Sequence, residues 1–181
     1  ASSLRRIGKG TFESCSALKS VDIPSSVASV DYQAFHACTH LSSVAFHDGL
    51  FSLEKKAFEG CSALTSVTFP RTLKTINSAF VNCTGLQTVK FLSAKTSCPT
   101  GAFAGCTNIR TVTVPSTIVR LSDVMPDSYK TVTSVTLTDG VTALTGTLLN
   151  GCEGLTTLTL PPSVTAINAD ACTTCKNLVT V

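Results

Sequence analysis

Apolar and polar positions along the chain repeat with a period of about 23 residues. Each repeat places Ala-Phe, then Cys, Leu and Val, at fixed offsets, with polar residues between them. The register persists through all 181 residues, with one shorter step between Phe58 and Phe80. The Phe position is filled by Phe12, Phe35, Phe58, Phe80, Phe103, Pro126, Leu149 and Cys172. A repeat of this length is one supersecondary unit that buries its apolar side only by stacking on its neighbours, so the pattern predicts a solenoid.

Each repeat combines two local periodicities. Around Val67, apolar and polar residues alternate and β-branched residues are frequent, which predicts a short strand. The Ala-Phe-x-x-Cys-x-x-Leu segment spaces its apolar residues by three, which predicts a helical or 3-10 turn. A proline such as Pro70 ends the strand because proline cannot donate to a ladder. We therefore expect parallel strands about 4.8 Å apart in one sheet, with the turns on the opposite side.

The motif Leu-x-x-Leu-x-Leu-Pro-x-x-Val-x-x-Ile, from Leu155 to Ile167, together with Ala-Phe-x-x-Cys elsewhere, resembles the leucine-rich repeat, in particular its BspA-like, Treponema-type class. The resemblance covers essentially the whole chain and implies a curved α/β leucine-rich repeat solenoid of about eight 23-residue units. It places one short parallel strand per unit on the concave face, and helical or 3-10 turns on the other side. The pattern is broken in the sixth unit by Met125-Pro126 and in the eighth by Cys172.

Composition favours a single leucine-rich repeat domain over residues 1–181, compatible with a longer parent protein. No run approaches the roughly 18 apolar residues of a membrane span, and no signal segment is visible. The net charge of +3 divides into +6 over residues 1–120 and −3 over residues 121–181. Such a charge gradient would orient a partner or a second copy of the chain. The alternative is that the charges of solvent-exposed side chains vary along the chain without a functional role. Scattered basic residues and few aromatic ones argue against nucleic-acid binding.

The nine cysteines all fall on positions that the repeat makes apolar. Seven occupy the Cys position, while Cys98 and Cys172 take the leading Ile and the Phe positions. Free cysteine packs as a small hydrophobe, and zinc sites need clustered pairs of ligands rather than single residues one coil apart. Cys172-Thr-Thr-Cys175 has the spacing of a redox motif, but both of its cysteines occupy core positions. We expect structural, free thiols.

Three histidines, His36, His40 and His47, lie in the second unit. His36 and His40 are four residues apart and are weak candidates for a surface metal site, with exposed polar positions as the alternative. No nucleophile elbow, phosphate loop or carboxylate pair is present, so we expect no enzymatic activity, no cofactor and no bound metal ion. Asn82-Cys83-Thr84 fits a glycosylation sequon, which we interpret as coincidental because Cys83 is expected to be buried.

The residues on either side of each buried Val point away from the core, and twelve of these fifteen are Ser or Thr. Thr suits strands in any case. A rigid, nearly uncharged surface also suits a protein partner. The predicted partner-binding residues are Ser66, Thr68, Thr88, Lys90, Thr111, Thr113, Ser134, Thr136, Thr157 and Thr159.

Resemblance to BspA-like proteins implies adhesion, at the cell surface, in the periplasm or after secretion. The partner implied is a host extracellular matrix or plasma protein, or a protein of another cell. The alternative is a self-assembling structural protein that forms homo-oligomers through uncapped ends or an apolar face, because solenoids normally need polar capping units. Thr-Val-Thr ladders also suggest ice binding, which the curvature expected of this class disfavours.

Overall fold

The structure, a computed structural model, describes residues 3–181. It is a β-solenoid of about seven turns, with repeats of roughly 23 residues, parallel strands and little helix, which confirms the predicted fold. The coils, numbered 1 to 8, begin at Ile7, Val30, Leu53, Ile76, Cys98, Leu121, Leu144 and Ile167. The strands are β1 (Arg6–Ile7), β2 (Ser20–Ile23), β3 (Ser29–Val30), β4 (Ser43–Phe46), β5 (Ser52–Leu53), β6 (Ser66–Phe69), β7 (Thr88–Phe91), β8 (Thr111–Val114), β9 (Ser134–Leu137), β10 (Ala143–Leu144), β11 (Thr157–Thr159) and β12 (Ala166–Ile167).

The predicted strands form the front sheet, which is less continuous than expected. β6, β7, β8, β9 and β11 make a five-stranded parallel ladder, and β2 pairs with β4. Within residues 3–181, β4 and β6 lie side by side without a ladder between them. Coil 8 adds one bridge, between Thr157 and Thr180. The expectation of one unbroken sheet of about eight strands is therefore corrected to two ladders of two and five strands.

A second row of strands, the rear sheet, was not predicted. β1, β3 and β5 pair in parallel, single bridges continue the row through Thr75 and Ser97, and β10 pairs with β12. Each of these strands is two residues long, as in Ser29–Val30. So short a segment cannot show the alternation over four or more residues by which a strand is recognised in a sequence.

The turns between front and rear sheets are mostly not helices. In coil 2 the N–H groups of Ala34 and His36 donate within the coil, to carbonyls three residues earlier. Those of Phe35 and Ala37 donate instead to coil 3, at 2.7 and 2.8 Å. Because every second N–H group donates to the next coil, the i→i−3 hydrogen bonds are interrupted and do not form a helix. Helical segments occur only in coil 6 of the described chain, as α1 (Leu121–Val124) and a 3-10 turn (Tyr129–Thr131).

The core is a stack of aromatic rings beside a column of thiols. Phe58 lies between Phe35 and Phe80, with ring centroids 5.0 and 5.2 Å away. The Cys61 thiol donates to the Phe35 carbonyl at 3.3 Å, and the thiols of coils 2, 4 and 5 make the same bond to the preceding coil. Each of these carbonyls already accepts from the cysteine N–H of its own coil, so the thiol of the next coil adds a second, weak hydrogen bond while leaving room for the ring.

Coil 1 lies at the end of the stack and departs from the prediction of uniformly buried columns. Phe12 is 38% exposed and Cys15 is exposed, whereas Phe35 and Cys38 one coil further are fully buried. Coil 2 is covered by coils 1 and 3, whereas residues 3–181 place a neighbour against coil 1 on one side.

Candidate binding face

The front sheet brings all ten predicted partner-binding residues into one ladder. Ser66, Thr88, Thr111, Ser134 and Thr157 are aligned across β6, β7, β8, β9 and β11. The other five lie two residues further along the same strands, and all ten are exposed or half-buried. The alternate residues of these strands, such as the valines of β6 to β9, are at most 1% exposed and hold the ladder onto the core. We call the surface formed by the ten residues the Ser/Thr face.

The hydroxyl groups of the Ser/Thr face form no hydrogen bond within the described chain. Other rows behave differently. One row earlier in each coil, the hydroxyls of Ser42, Thr133 and Thr156 donate to carbonyls of the preceding coil at 3.0 to 3.2 Å. Thr96, beyond the strands, donates to the Leu73 carbonyl at 2.9 Å. The chain therefore uses many hydroxyls to join its coils and leaves those of the Ser/Thr face to solvent or a partner.

A rival surface lies on the rear sheet. Its open cleft, of about 540 Å³, is lined by Arg6, Lys9, Ser29, Asp31, Tyr32, Ser52, Glu54 and Lys55. Most of its charged groups have partners inside the chain: Arg6 donates to Asp31 at 2.5 Å, Glu54 accepts from Asn77 at 3.2 Å, and Lys9 lies over the Tyr32 ring. A partner at this cleft would have to replace those contacts, which the Ser/Thr face does not require.

The two histidines proposed as weak metal ligands have different partners. His36 Nδ1 lies 3.2 Å from Glu13 Oε1, and its Nε2 lies 3.9 Å from Glu59 Oε2. His40 Nδ1 is 3.4 Å from the Thr39 hydroxyl. Across residues 3–181, no group of three or more His, Cys, Asp or Glu side chains is placed to hold a metal ion. The structure thus assembles no ligand set around this pair, and His36 instead connects three successive coils.

The cysteines are free thiols in the described chain, and most are buried. Burial raises the pKa of Cys61 and of Cys152 to about 12. Burial, followed by the neighbouring Cys172, raises the pKa of Cys175 to about 11. A raised pKa keeps a thiol protonated at neutral pH and removes the thiolate needed for nucleophilic or redox chemistry. The Cys175 thiol of the Cys172-Thr-Thr-Cys175 motif therefore lacks the activation expected of a redox cysteine.

The helices in the described part of the chain are single turns, so none could cross a membrane.

Comparison with known proteins identifies the repeat. A family model described as the BspA type leucine-rich repeat region (6 copies) matches residues 1–109 and 77–179. The family resemblance seen in the sequence is thereby confirmed. No curated protein matches the chain at a significant level.

Two solved structures share the fold at more than 25% identity. The Treponema pallidum leucine-rich repeat protein is 28% identical with a TM-score of 0.57, over 96% of this chain and 71% of that one. A leucine-rich repeat protein from Eubacterium ventriosum is 26% identical with a TM-score of 0.62, over 90% of this chain. The chain spans only 43% of the length of the Eubacterium protein. A leucine rich cell surface protein from Faecalibacterium prausnitzii is more distant, at 18% identity and a TM-score of 0.49 over 98% of this chain and 61% of that one.

Proposed function

The chain belongs to the BspA-type leucine-rich repeat family, and from that membership we propose that it is a non-enzymatic adhesion module that binds a protein through the Ser/Thr face. The partner class is a host extracellular matrix or plasma protein, or a surface protein of another cell. This function carries with it a location at the cell surface, in the periplasm or outside the cell.

The observation that carries the proposal is the set of hydroxyls on the Ser/Thr face that have no partner within the described chain. These hydroxyls are held on a rigid ladder, so ordering them on binding costs little conformational entropy. Five strands of three or four residues, at about 4.8 Å spacing and about 3.3 Å per residue, make a patch of about 24 by 13 Å, so a standard interface of about 800 Å² per partner would also include neighbouring front strands and turns. Its low charge avoids the cost of desolvating ions.

The test is a binding screen of the parent chain and two matched variants against immobilised matrix and plasma proteins by surface plasmon resonance. The face variant carries Glu at Thr111, Thr113, Thr136 and Thr159. The control carries the same four charges on the turns between the sheets, at the exposed Thr39, Thr84, Thr100 and Thr107. We expect the face variant to bind at least about tenfold more weakly, because unpaired carboxylates would be desolvated in the interface, and the control to bind as the parent does.

Equal affinity of the face variant and the parent for the captured protein would contradict the proposal. Circular dichroism of both variants separates this result from unfolding, since all eight positions are exposed or half-buried and a lost fold would be visible directly.

Self-assembly is the second candidate function, and the exposure of apolar residues on inner coils favours it. Phe51 in coil 2 is 48% exposed, and Val119 in coil 5 is 62% exposed. Exposed apolar surface of this kind is a site of association between chains. Light scattering at high protein concentration tests it: a mass that rises with concentration is expected, and a monodisperse monomer would exclude it.

A further inference from the structure

One edge of the Ser/Thr face contains a pocket of about 260 Å³, where β7, β8 and β9 end. We call it the edge pocket. It is lined by Arg71, Lys90, Phe91, Leu92, Thr113, Thr136, Leu137, Thr138 and Asp139. Three of these residues, Lys90, Thr113 and Thr136, belong to the Ser/Thr face. The pocket therefore joins the flat hydroxyl-bearing surface to a concave, partly charged one.

In coils 3 to 6, the residue that directly follows the front strand alternates between proline and a residue that extends the ladder. In coils 3 and 5 this residue is proline, which cannot extend the ladder. In coil 4 it is Leu92, whose N–H donates to the Phe69 carbonyl at 3.1 Å, and in coil 6 it is Thr138, which donates to Val114 at 3.0 Å. Coils 4 and 6 thus carry their ladders one residue further than coil 5 between them. Leu92 and Thr138, the two residues that extend these ladders, both line the pocket, and Leu92 is 36% exposed.

The charges of the edge pocket are unevenly arranged. Arg71 and Lys90 are exposed, and neither side chain forms an ion pair within the described chain. Asp139 is the single carboxylate among the lining residues. This contrasts with the rear cleft, where Arg6 is already paired with Asp31. Two cations against one carboxylate give the lining a net charge of +1, and together with an exposed leucine this favours a ligand with an anionic group next to an apolar one.

On these grounds we infer that the edge pocket receives an acidic side chain followed by an aliphatic one from the protein that binds the Ser/Thr face. The carboxylate lies between Arg71 and Lys90, and the aliphatic group packs on Leu92. The hydroxyls of Thr113 and Thr136 donate hydrogen bonds to carbonyl groups of the partner backbone or accept them from its N–H groups. This inference rests on the proposed function and names the chemistry that the partner presents.

The test is an NMR titration of the ¹⁵N-labelled chain with N-acetyl-Asp-Leu-amide, and with N-acetyl-Asn-Leu-amide as the uncharged probe. We expect saturable shifts of the backbone amides of Leu92, Thr113 and Thr136 with the acidic probe. The uncharged probe should bind about tenfold more weakly, since two exposed ion pairs of up to about 1 kcal/mol each are lost. Absence of saturable shifts, or equal binding of both probes, would overturn the inference.

Substitutions that remove one charge each test how the charged residues of the pocket affect binding of the acidic probe. Arg71→Gln and Lys90→Gln should each weaken the acidic probe roughly two- to fivefold, and Asp139→Asn should strengthen it about twofold by removing a like charge. Lys55→Gln in the rear cleft, the matched loss of one positive charge, should leave binding unchanged. All four residues are exposed, and the spectrum itself reports whether each variant is folded. Equal effects of Lys55→Gln and Arg71→Gln would show nonspecific charge attraction and overturn the inference.

The two proposals fail separately. A captured protein that depends on the Thr positions of the face, together with an acidic probe that does not bind, rejects the edge pocket alone. A probe that binds the pocket while the face variant retains full protein binding rejects the Ser/Thr face as the protein-binding surface, and the pocket then stands as a site for an acidic ligand of another origin.

Discussion

Coils 2 to 5 and coil 6 solve the same packing problem with different residues. In coils 2 to 5 the Phe rings stack at centroid distances of 5.0 to 5.9 Å. Each Phe is followed by a Cys whose thiol donates a second hydrogen bond to the Phe carbonyl of the preceding coil. In coil 6, Met125 and Pro126 replace Ala-Phe and the stack ends at Phe103.

Proline is the reason that coil 6 differs. In coils 1, 2 and 3 the N–H at the Phe position donates to the next coil. Pro126 has no N–H, so the outgoing bond is lost, and the following N–H groups bond within the coil: Ser128 and Tyr129 both donate to the Met125 carbonyl. The front sheet is unaffected, because β8, β9 and β11 pair as the other strands do. The comparison shows that the turns tolerate exchange of the core residue while the strands keep the Ser/Thr face in place.

The largest effect is expected from breaking the stack in the regular coils. Phe58→Ala should lower the free energy of unfolding by about 3–5 kcal/mol, because a fully buried ring with neighbours on both sides is removed. Tyr129→Ala, in coil 6, should cost less, since its ring is only half-buried. Urea unfolding followed by circular dichroism measures both. Equal losses in the free energy of unfolding would show that the stacked Phe rings contribute no more stability than the half-buried Tyr129 ring.

A smaller effect is expected where coil 7 packs under coil 6. Gly151 has φ +81°, and a Cβ there would lie 2.8 Å from Tyr129 Cε2. Gly60 in coil 3 has φ +75° but space for a Cβ, whose nearest atom is Ala37 Cα at 3.8 Å. Gly60→Ala should therefore cost only the backbone strain, about 1–2 kcal/mol, and Gly151→Ala about 2–4 kcal/mol.

A double variant separates the two causes. Adding Tyr129→Ala should reduce the cost of Gly151→Ala to that of Gly60→Ala, because the overlapping ring is gone. Simple additivity of the two costs would mean that the Tyr129 ring plays no part.

The smallest effect concerns the thiols. Cys61→Ala should cost about 0.5–1 kcal/mol more than Cys152→Ala at neutral pH, since the Phe35 carbonyl loses one of its two donors and keeps only the Cys38 N–H at 3.3 Å. Cys152 is equally buried but its thiol makes no hydrogen bond within the described chain. Equal costs in urea unfolding at pH 7 would show that the thiol-to-carbonyl bond has no net value.

The same thiols give a pH dependence whose sign follows from burial. The pKa of Cys61 is raised from 9.0 to about 12 in the folded chain, so the unfolded chain loses this proton first. The contribution is fully present below pH 9 and is lost as the pH rises to 12, at up to about 1.4 kcal/mol per pH unit. Stability of the parent should fall more steeply than that of Cys61→Ala over this range, and parallel curves would contradict it.

Much of this architecture could be predicted from the periodicity, for identifiable reasons. The positions of Val67 and Phe58 could be assigned to the core because apolar residues recur at both positions from coil to coil, and a recurring apolar position indicates the interior of a solenoid. Ser29–Val30 and its counterparts escaped prediction because two residues carry no period. The helical turns were predicted too widely, because a spacing of three cannot show that alternate N–H groups bond to the next coil.

The candidate site divides in the same way. Sequence by itself determined the family, the solenoid and the row of Ser and Thr residues, because a stacked repeat turns sequence offsets directly into rows on a surface. Only the tertiary structure decided which hydroxyls are free: that of Thr156 bonds to the Thr133 carbonyl, whereas that of Thr157 has no partner within the described chain. It also decided that Arg71 and Asp139, 68 positions apart, line one pocket. Hydrogen bonding and the depth of a pocket depend on distances between coils, which a linear pattern does not contain.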